Sequence, residues 1–189
     1  MLLGASYLAW CAWATATEDL PELAAVISHV GPHECASVHR PGGSIALETM
    51  MLWAREQLGP QRPDSLLLSR LRRDRRAAVD LRPLLTAPQR RGVAHILSGE
   101  QILDGTPQWV TQWLDHERDD PYWDGYDASK ALDTVTCPVL VIGGQQDLFA
   151  DQSWRQVERL EARGVPVDLV MGPWTHRDVK SVWPTLLGE

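Results

Sequence analysis

The chain has 189 residues, with 18 Lys and Arg against 25 Asp and Glu and a formal net charge of −7. With 44% hydrophobic and 23% charged residues it can bury one packed core, which excludes a disordered chain. The acidic balance excludes a general nucleic-acid binder, whose surface must neutralise phosphates. The three cysteines Cys11, Cys35 and Cys137 are too scattered for a disulfide framework or paired metal-binding cysteines, which fits a reducing cytoplasm. No apolar run reaches the roughly 18 residues that span a bilayer, so no membrane partner is expected.

The first residues admit two readings. Met1 to Ala16 carries no charged side chain and ends in Ala14-Thr15-Ala16, the small-x-small form of a signal cleavage site. Yet no basic residue precedes Arg40, and Trp10 and Trp13 are bulky for such a segment. The second reading is chemical. The apolar stub Met1-Leu2-Leu3 leads into Gly4-Ala5-Ser6-Tyr7-Leu8 and then a helix-compatible run, Leu8 to Thr17. A strand, a sharp turn and a helix would lift the Ser6 hydroxyl above a sheet and offer the Tyr7 amide to a developing oxyanion. Leu8 occupies the place of the second Gly in the strict nucleophile-elbow pattern.

Further along, Ala24 to Val30 predicts a buried strand. Residues 35 to 135 then interrupt the alternation as a helical cap insertion, with helices predicted over Ser44 to Leu58, Ser65 to Val79 and Pro107 to Glu117. Trp109, Trp113 and His116 share one face of the last of these. Arg70, Arg72, Arg73, Arg75 and Arg76 read as a solvated helix face, interrupted as they are by Leu71 and Asp74. Strands are predicted at Val139 to Ile142 and Val167 to Met171. Between them Asp151 to Arg163 predicts an amphipathic helix, with Asp151 as N-cap and Trp154, Val157 and Leu160 turned inward. Strand, helix, strand is a parallel crossover unit, which makes the fold class α/β, a parallel sheet carrying a helical cap. The whole reads as one domain: a nucleophile unit in 1–34, the cap in 35–135, and acid and histidine units in 136–189.

Functional groups in such sheets gather at the carboxyl ends of the strands. The loop after residue 142 contains Asp147, and the loop after residue 171 contains His176. With Ser6 the chain order is Ser, Asp, His, as in α/β-hydrolases. In this reading His176 takes the Ser6 proton and Asp147 fixes its tautomer. Trp113, Trp123 and Phe149 are candidates for an apolar substrate pocket, with plain core packing the competing reading. A metal site drawn from His29, His33, Glu34, Cys35 and His39 is disfavoured, because Gly31-Pro32 interrupts any helix that would align the imidazoles.

Three stretches resemble the CocE/NonD hydrolases, the family of cocaine esterase, α-amino-acid ester hydrolases and X-Pro dipeptidyl-peptidases. Gly4-Ala5-Ser6-Tyr7-Leu8-Ala9 is similar to the family's Gly-x-Ser-Tyr-x-Gly, with Ala9 departing. Gly144-Gln145-Gln146-Asp147 is similar to its Gly-Trp-Tyr-Asp, with both aromatics replaced by Gln. Gly172-Pro173-Trp174-Thr175-His176 is similar to its Gly-Pro-Trp-x-His. The segment Trp113 to Trp123, with His116, Asp119, Asp120 and Tyr122, also resembles the family's cap.

The resemblance implies a partial α/β-hydrolase fold and an enzyme cleaving a small-molecule acyl ester or amide through an acyl-Ser intermediate, with no metal or organic cofactor. It also implies that strands before the nucleophile, a second oxyanion donor and a carboxyl-terminal β-sandwich lie outside this sequence. The expectation is therefore a fragment, poorly stable and nearly inactive by itself. The competing function is non-enzymatic: a secreted or partner-binding helical protein whose first sixteen residues, Ser6 among them, are removed.

Overall fold

The computed structural model describes residues 1–18, 20–47, 49–50, 53, 108–176 and 178. The helix predicted at 65–79, its arginines and most of the one predicted at 44–58 lie outside the described residues. The described chain forms two compact units: 1–38 with 121–189, and 39–120.

The first unit is built on a four-stranded, all-parallel sheet in the order β1 (Leu2–Ala5), β2 (Val26–His29), β3 (Val139–Gln146) and β4 (Val167–Thr175). The fold class is α/β. Successive side chains point to opposite faces of a strand, and one register row, Leu3, Ile27, Leu140 and Asp168, faces away from the main core. The other face meets three helices: α1 (Tyr7–Ala16) against β1 and β2, α5 (Ala150–Glu161) against β3 and β4, and α4 (Lys130–Thr134) touching both. Trp13, Val26, Leu132, Val139, Val141 and Leu160 form the heart of the layer between them. Residues 2–16 are thus a sheet strand and a core helix, with Trp13 wholly buried.

Two strands run further than predicted. β3 continues through Gly143-Gly144 to Gln146, and β4 through Gly172-Pro173 to Thr175; Gly144 pairs in register with Gly172, and the register shifts before Gln146 pairs with Thr175. The glycines that read as strand stops instead allow close approach: a Cβ on Gly144 would lie 2.3 Å from the Trp174 carbonyl oxygen. Pro173 is tolerated because β4 is an edge of the described sheet, where a missing N–H breaks no ladder bond.

The helix between these strands also differs from expectation. Phe149, not Asp151, is the N-cap of α5, and Asp151 lies in its first turn, where a carboxylate suits the helix dipole. Trp154 is 47% exposed. The inward stripe is Gln152, Ser153, Gln156, Val157 and Leu160, three of the five polar, which an apolar count alone does not register.

In the second unit, α2 (Ala36–His39) ends where the unit begins, and α3 (Gln108–Asp115) carries the predicted aromatic face. Trp109 and Trp113 meet edge to face at 4.8 Å, Trp53 stacks on Trp113 at 5.2 Å, and His39 lies 4.2 Å from Trp113 between ring centroids. Among the described residues no helix is long and apolar enough to cross a membrane.

Candidate active site

Ser6 sits between β1 and α1 with φ 57° and ψ −126°, a left-handed backbone that a residue with a Cβ rarely adopts. Such strain costs on the order of 1–3 kcal/mol and persists only where surrounding contacts over-determine it. Those contacts are visible. The Ser6 N–H donates to the His29 carbonyl at 2.9 Å, and the Ala9 N–H donates to the Ser6 carbonyl at 2.9 Å. A Cβ on Gly4 would lie 2.0 Å from the Leu8 carbonyl oxygen, and one on Gly31 only 2.2 Å from the Ala9 Cβ. The methyl of Ala9 therefore occupies space that Gly31 leaves open. Leu8 needs no Gly there, because its side chain is 61% exposed. Gly4→Ala, forced against backbone atoms, is expected to destabilise the fold by about 2–3 kcal/mol. A denaturation midpoint equal to wild type would contradict the tight turn.

The structure brings Ser6, His176 and Asp147 together. Ser6 Oγ and His176 Nε2 are 3.0 Å apart, and His176 Nδ1 lies 2.6 Å from Asp147 Oδ2. The second carboxylate oxygen, Asp147 Oδ1, accepts the Phe149 N–H at 2.7 Å. The Asp147 side chain is fully buried and that of His176 is 30% exposed. The turn carrying His176 is fastened by Asp178, whose carboxylate accepts the Thr175 N–H at 3.1 Å and the Thr175 hydroxyl at 2.6 Å. These hydrogen bonds hold the Asp178 carboxyl below its usual range. Tyr7 opens α1, directly after Ser6, at the helix end where backbone N–H groups have no carbonyl one turn earlier in the helix.

The three aromatic candidates separate. Phe149 packs edge-on against His176 at 5.3 Å and so borders the relay. Trp123 is 4% exposed, held edge-on by Tyr122 at 5.3 Å and by Tyr126 at 5.9 Å. Trp113 belongs to the second unit. A cavity of about 500 Å³ lined by His33, Glu34, Ser129, Arg155, Glu158 and Arg159 contains no residue of the relay.

The histidines weighed for metal are placed apart: His29 ends β2, His33 lies in the following loop and His39 ends α2. Burial lowers all three from the ordinary 6.5 to about 4. For His29 the Asp147 charge opposes that shift and His176 adds to it. For His33, Glu34 and Asp127 oppose it, while Arg155 and Arg159 reinforce it. Each is neutral when folded, whereas the unfolded chain takes up a proton near 6.5. The stability they contribute is therefore complete above that value and is lost as pH falls toward 4. His33 and His39, less than a tenth exposed, should each cost the fold roughly 3 kcal/mol once charged. Thermal melts from pH 7 to pH 4 are expected to fall steeply, and a flat profile would contradict this assignment.

Sequence reasoning missed the buried polar residues behind the elbow: Ser28, Gln152 and Gln156, each at most 3% exposed. Glutamines at inward positions of an amphipathic helix were their only signal.

A sequence model described as X-Pro dipeptidyl-peptidase, family S15, matches residues 2–178. The chain belongs to this S15 family. All three relay residues lie within the matched span. No curated protein matches the chain in sequence. Among solved structures, acylaminoacyl peptidase of Pyrococcus horikoshii is similar at 13% identity and a TM-score of 0.49, covering 95% of this chain and 20% of that one. An esterase of Pyrococcus furiosus is similar at 13% identity and a TM-score of 0.44, covering 98% and 48%. The hyperthermophilic esterase of Pyrobaculum calidifontis is similar at 12% identity and a TM-score of 0.44, covering 93% and 44%. This S15-family chain thus spans less than two-thirds of the length of each.

Proposed function

We propose that the chain is a serine hydrolase of the CocE/NonD type that cleaves an acyl ester or amide of a small molecule, with Ser6, His176 and Asp147 as its catalytic triad. The observation that carries this reading is the continuous relay from Ser6 Oγ through the His176 ring to buried Asp147, at 3.0 and 2.6 Å.

In the first step Ser6 Oγ bonds to the substrate carbonyl carbon while its proton passes to His176 Nε2. The carbonyl π pair moves onto oxygen, which faces the Tyr7 amide. Asp147, accepting at Nδ1, stabilises the imidazolium. Collapse re-forms the carbonyl and breaks the bond to the leaving oxygen or nitrogen, which takes the proton from His176. Water then attacks the acyl-Ser6 ester by the same relay and returns the proton to Ser6. No metal or organic cofactor enters these steps.

The test is covalent labelling by a fluorophosphonate, followed by peptide mass mapping. A modification confined to the peptide containing Ser6 supports the reading. Ester turnover without such labelling, abolished by chelation, would replace it with a metal-dependent one.

A further inference from the structure

A chain of buried hydrogen bonds runs from α5 to the underside of the nucleophile turn. The Trp13 indole N–H donates to Ser28 Oγ at 3.1 Å, and the Ser28 hydroxyl donates to Gln156 Oε1 at 3.0 Å. The Gln156 amide donates to the Gly31 carbonyl at 2.9 Å and lies 3.4 Å from His33 Nδ1. One turn earlier on the same helix, Gln152 Oε1 accepts the N–H groups of His33 at 2.7 Å and Glu34 at 3.2 Å, and its amide donates to the Glu34 carbonyl at 2.8 Å. Trp13 and Gln156 are completely buried, Ser28 is 1% exposed and Gln152 3%.

The segment these glutamines hold is the one that holds Ser6. His29 accepts the Ser6 N–H, and Gly31 is so close that a Cβ there would lie 2.7 Å from the Ser6 carbonyl oxygen. Between them Val30 has φ 40°, a second left-handed backbone without glycine, tied by its N–H to the Ile142 carbonyl of β3 at 2.7 Å. Two strained residues, Ser6 and Val30, thus lean on one loop, and α5 holds that loop through Gln152 and Gln156. The same helix begins three residues after Asp147. It therefore ties the acid-bearing turn and the nucleophile turn to one rigid element, which is what preorganised attack geometry requires.

We propose that Gln156, supported by Gln152, is a positioning residue for the Ser6 nucleophile: by fixing Gly31 it holds residues 29–31 under the elbow and keeps Ser6 Oγ in line with His176. This rests on the serine-hydrolase reading above. Among the described residues Gln156 bonds to Ser28, Gly31 and His33 and to no triad side chain, so its effect belongs in the rate of acylation rather than in substrate affinity.

The experiment measures fluorophosphonate labelling rates, normalised to folded protein, for wild type, Gln156→Met, Gln156→Glu and the core control Val157→Ala. The Met variant is expected to label at least tenfold more slowly, with kcat for an activated ester reduced and KM within twofold. Val157→Ala, which loosens the same helix without touching the loop, should label within twofold of wild type. The Glu variant supplies a signature that lost packing would not give. Its protonated carboxyl can donate to the Gly31 carbonyl and its ionised form cannot; the facing His33 ring, 3.4 Å away, is held neutral above about 4 by burial, against the charges of Glu34 and Asp127 and with those of Arg155 and Arg159, so the rate relative to wild type should fall as pH rises. That comparison also serves if the Met variant does not fold. Ser6-dependent labelling of wild type together with an unchanged Met rate, or a flat Glu ratio from pH 5 to 9, overturns the positioning role alone. Absence of wild-type labelling at Ser6 overturns the hydrolase reading and this role with it.

Discussion

Ser6→Ala is expected to abolish fluorophosphonate labelling and to lower ester turnover by at least about 10³-fold, with little change in stability. The size follows from the division of labour: once the nucleophile is gone, only binding and oxyanion stabilisation remain, and these leave a small residue of catalysis. The stability expectation follows from the backbone. Ser6 makes no side-chain cap to its helix, and Ala meets the same strain at φ 57° that Ser does. Ser6→Gly separates the two roles of the position. Glycine adopts that backbone freely, so it should be equally inactive yet more stable by about 1 kcal/mol. A Ser6→Ala protein that still labels at another residue would place the nucleophile elsewhere and end the proposal. A Ser6→Gly protein less stable than wild type would show that the elbow is not strained.

The second large effect belongs to Asp147. Asp147→Asn keeps an oxygen for the Phe149 N–H, so the turn should stand and the melting temperature should move little. The new amide would donate toward His176 Nδ1. That forces the imidazole proton onto Nε2, the atom 3.0 Å from Ser6 Oγ, where an acceptor is needed. The wrong tautomer typically lowers turnover by about 10⁴-fold in a Ser-His-Asp relay. Labelling should slow in parallel, since acylation by the probe needs the same proton transfer. A loss of less than tenfold would mean that His176 is oriented by something other than this carboxylate. Asp147→Ala provides the contrast: it removes the acceptor for the Phe149 amide as well, so it should lose stability along with activity.

The triad residues and the glutamines behind them differ in how legible they are in the sequence. Ser6, Asp147 and His176 each directly follow a strand, and the order Ser, Asp, His marks them out in the sequence. Gln152 and Gln156 carry no such mark. A glutamine at a helical position is by default a solvated one, and only the loop folded over α5 turns these two into buried donors and acceptors. The displacement of Trp154 to the surface has the same origin. An apolar tally selects Trp154 for the core, yet the polar pair takes the inward face because residues 31–34 present backbone groups that must be satisfied there. Glycine misled in a similar way at 143–144 and 172, where it marks close strand approach rather than a strand end.

By itself the sequence determined the α/β class and the placement of Ser6, Asp147 and His176 at carboxyl ends of strands, because both follow from hydrophobic periodicity and from punctuation by glycine and proline, which are local. Only the tertiary structure decided the parallel order β1 to β4, the left-handed backbones of Ser6 and Val30, and the 3.0 and 2.6 Å spacings of the relay. These depend on contacts between residues more than a hundred positions apart, such as Gln156 with Gly31. Which buried polar groups meet across such a distance is set by packing, and no window along the chain contains that information.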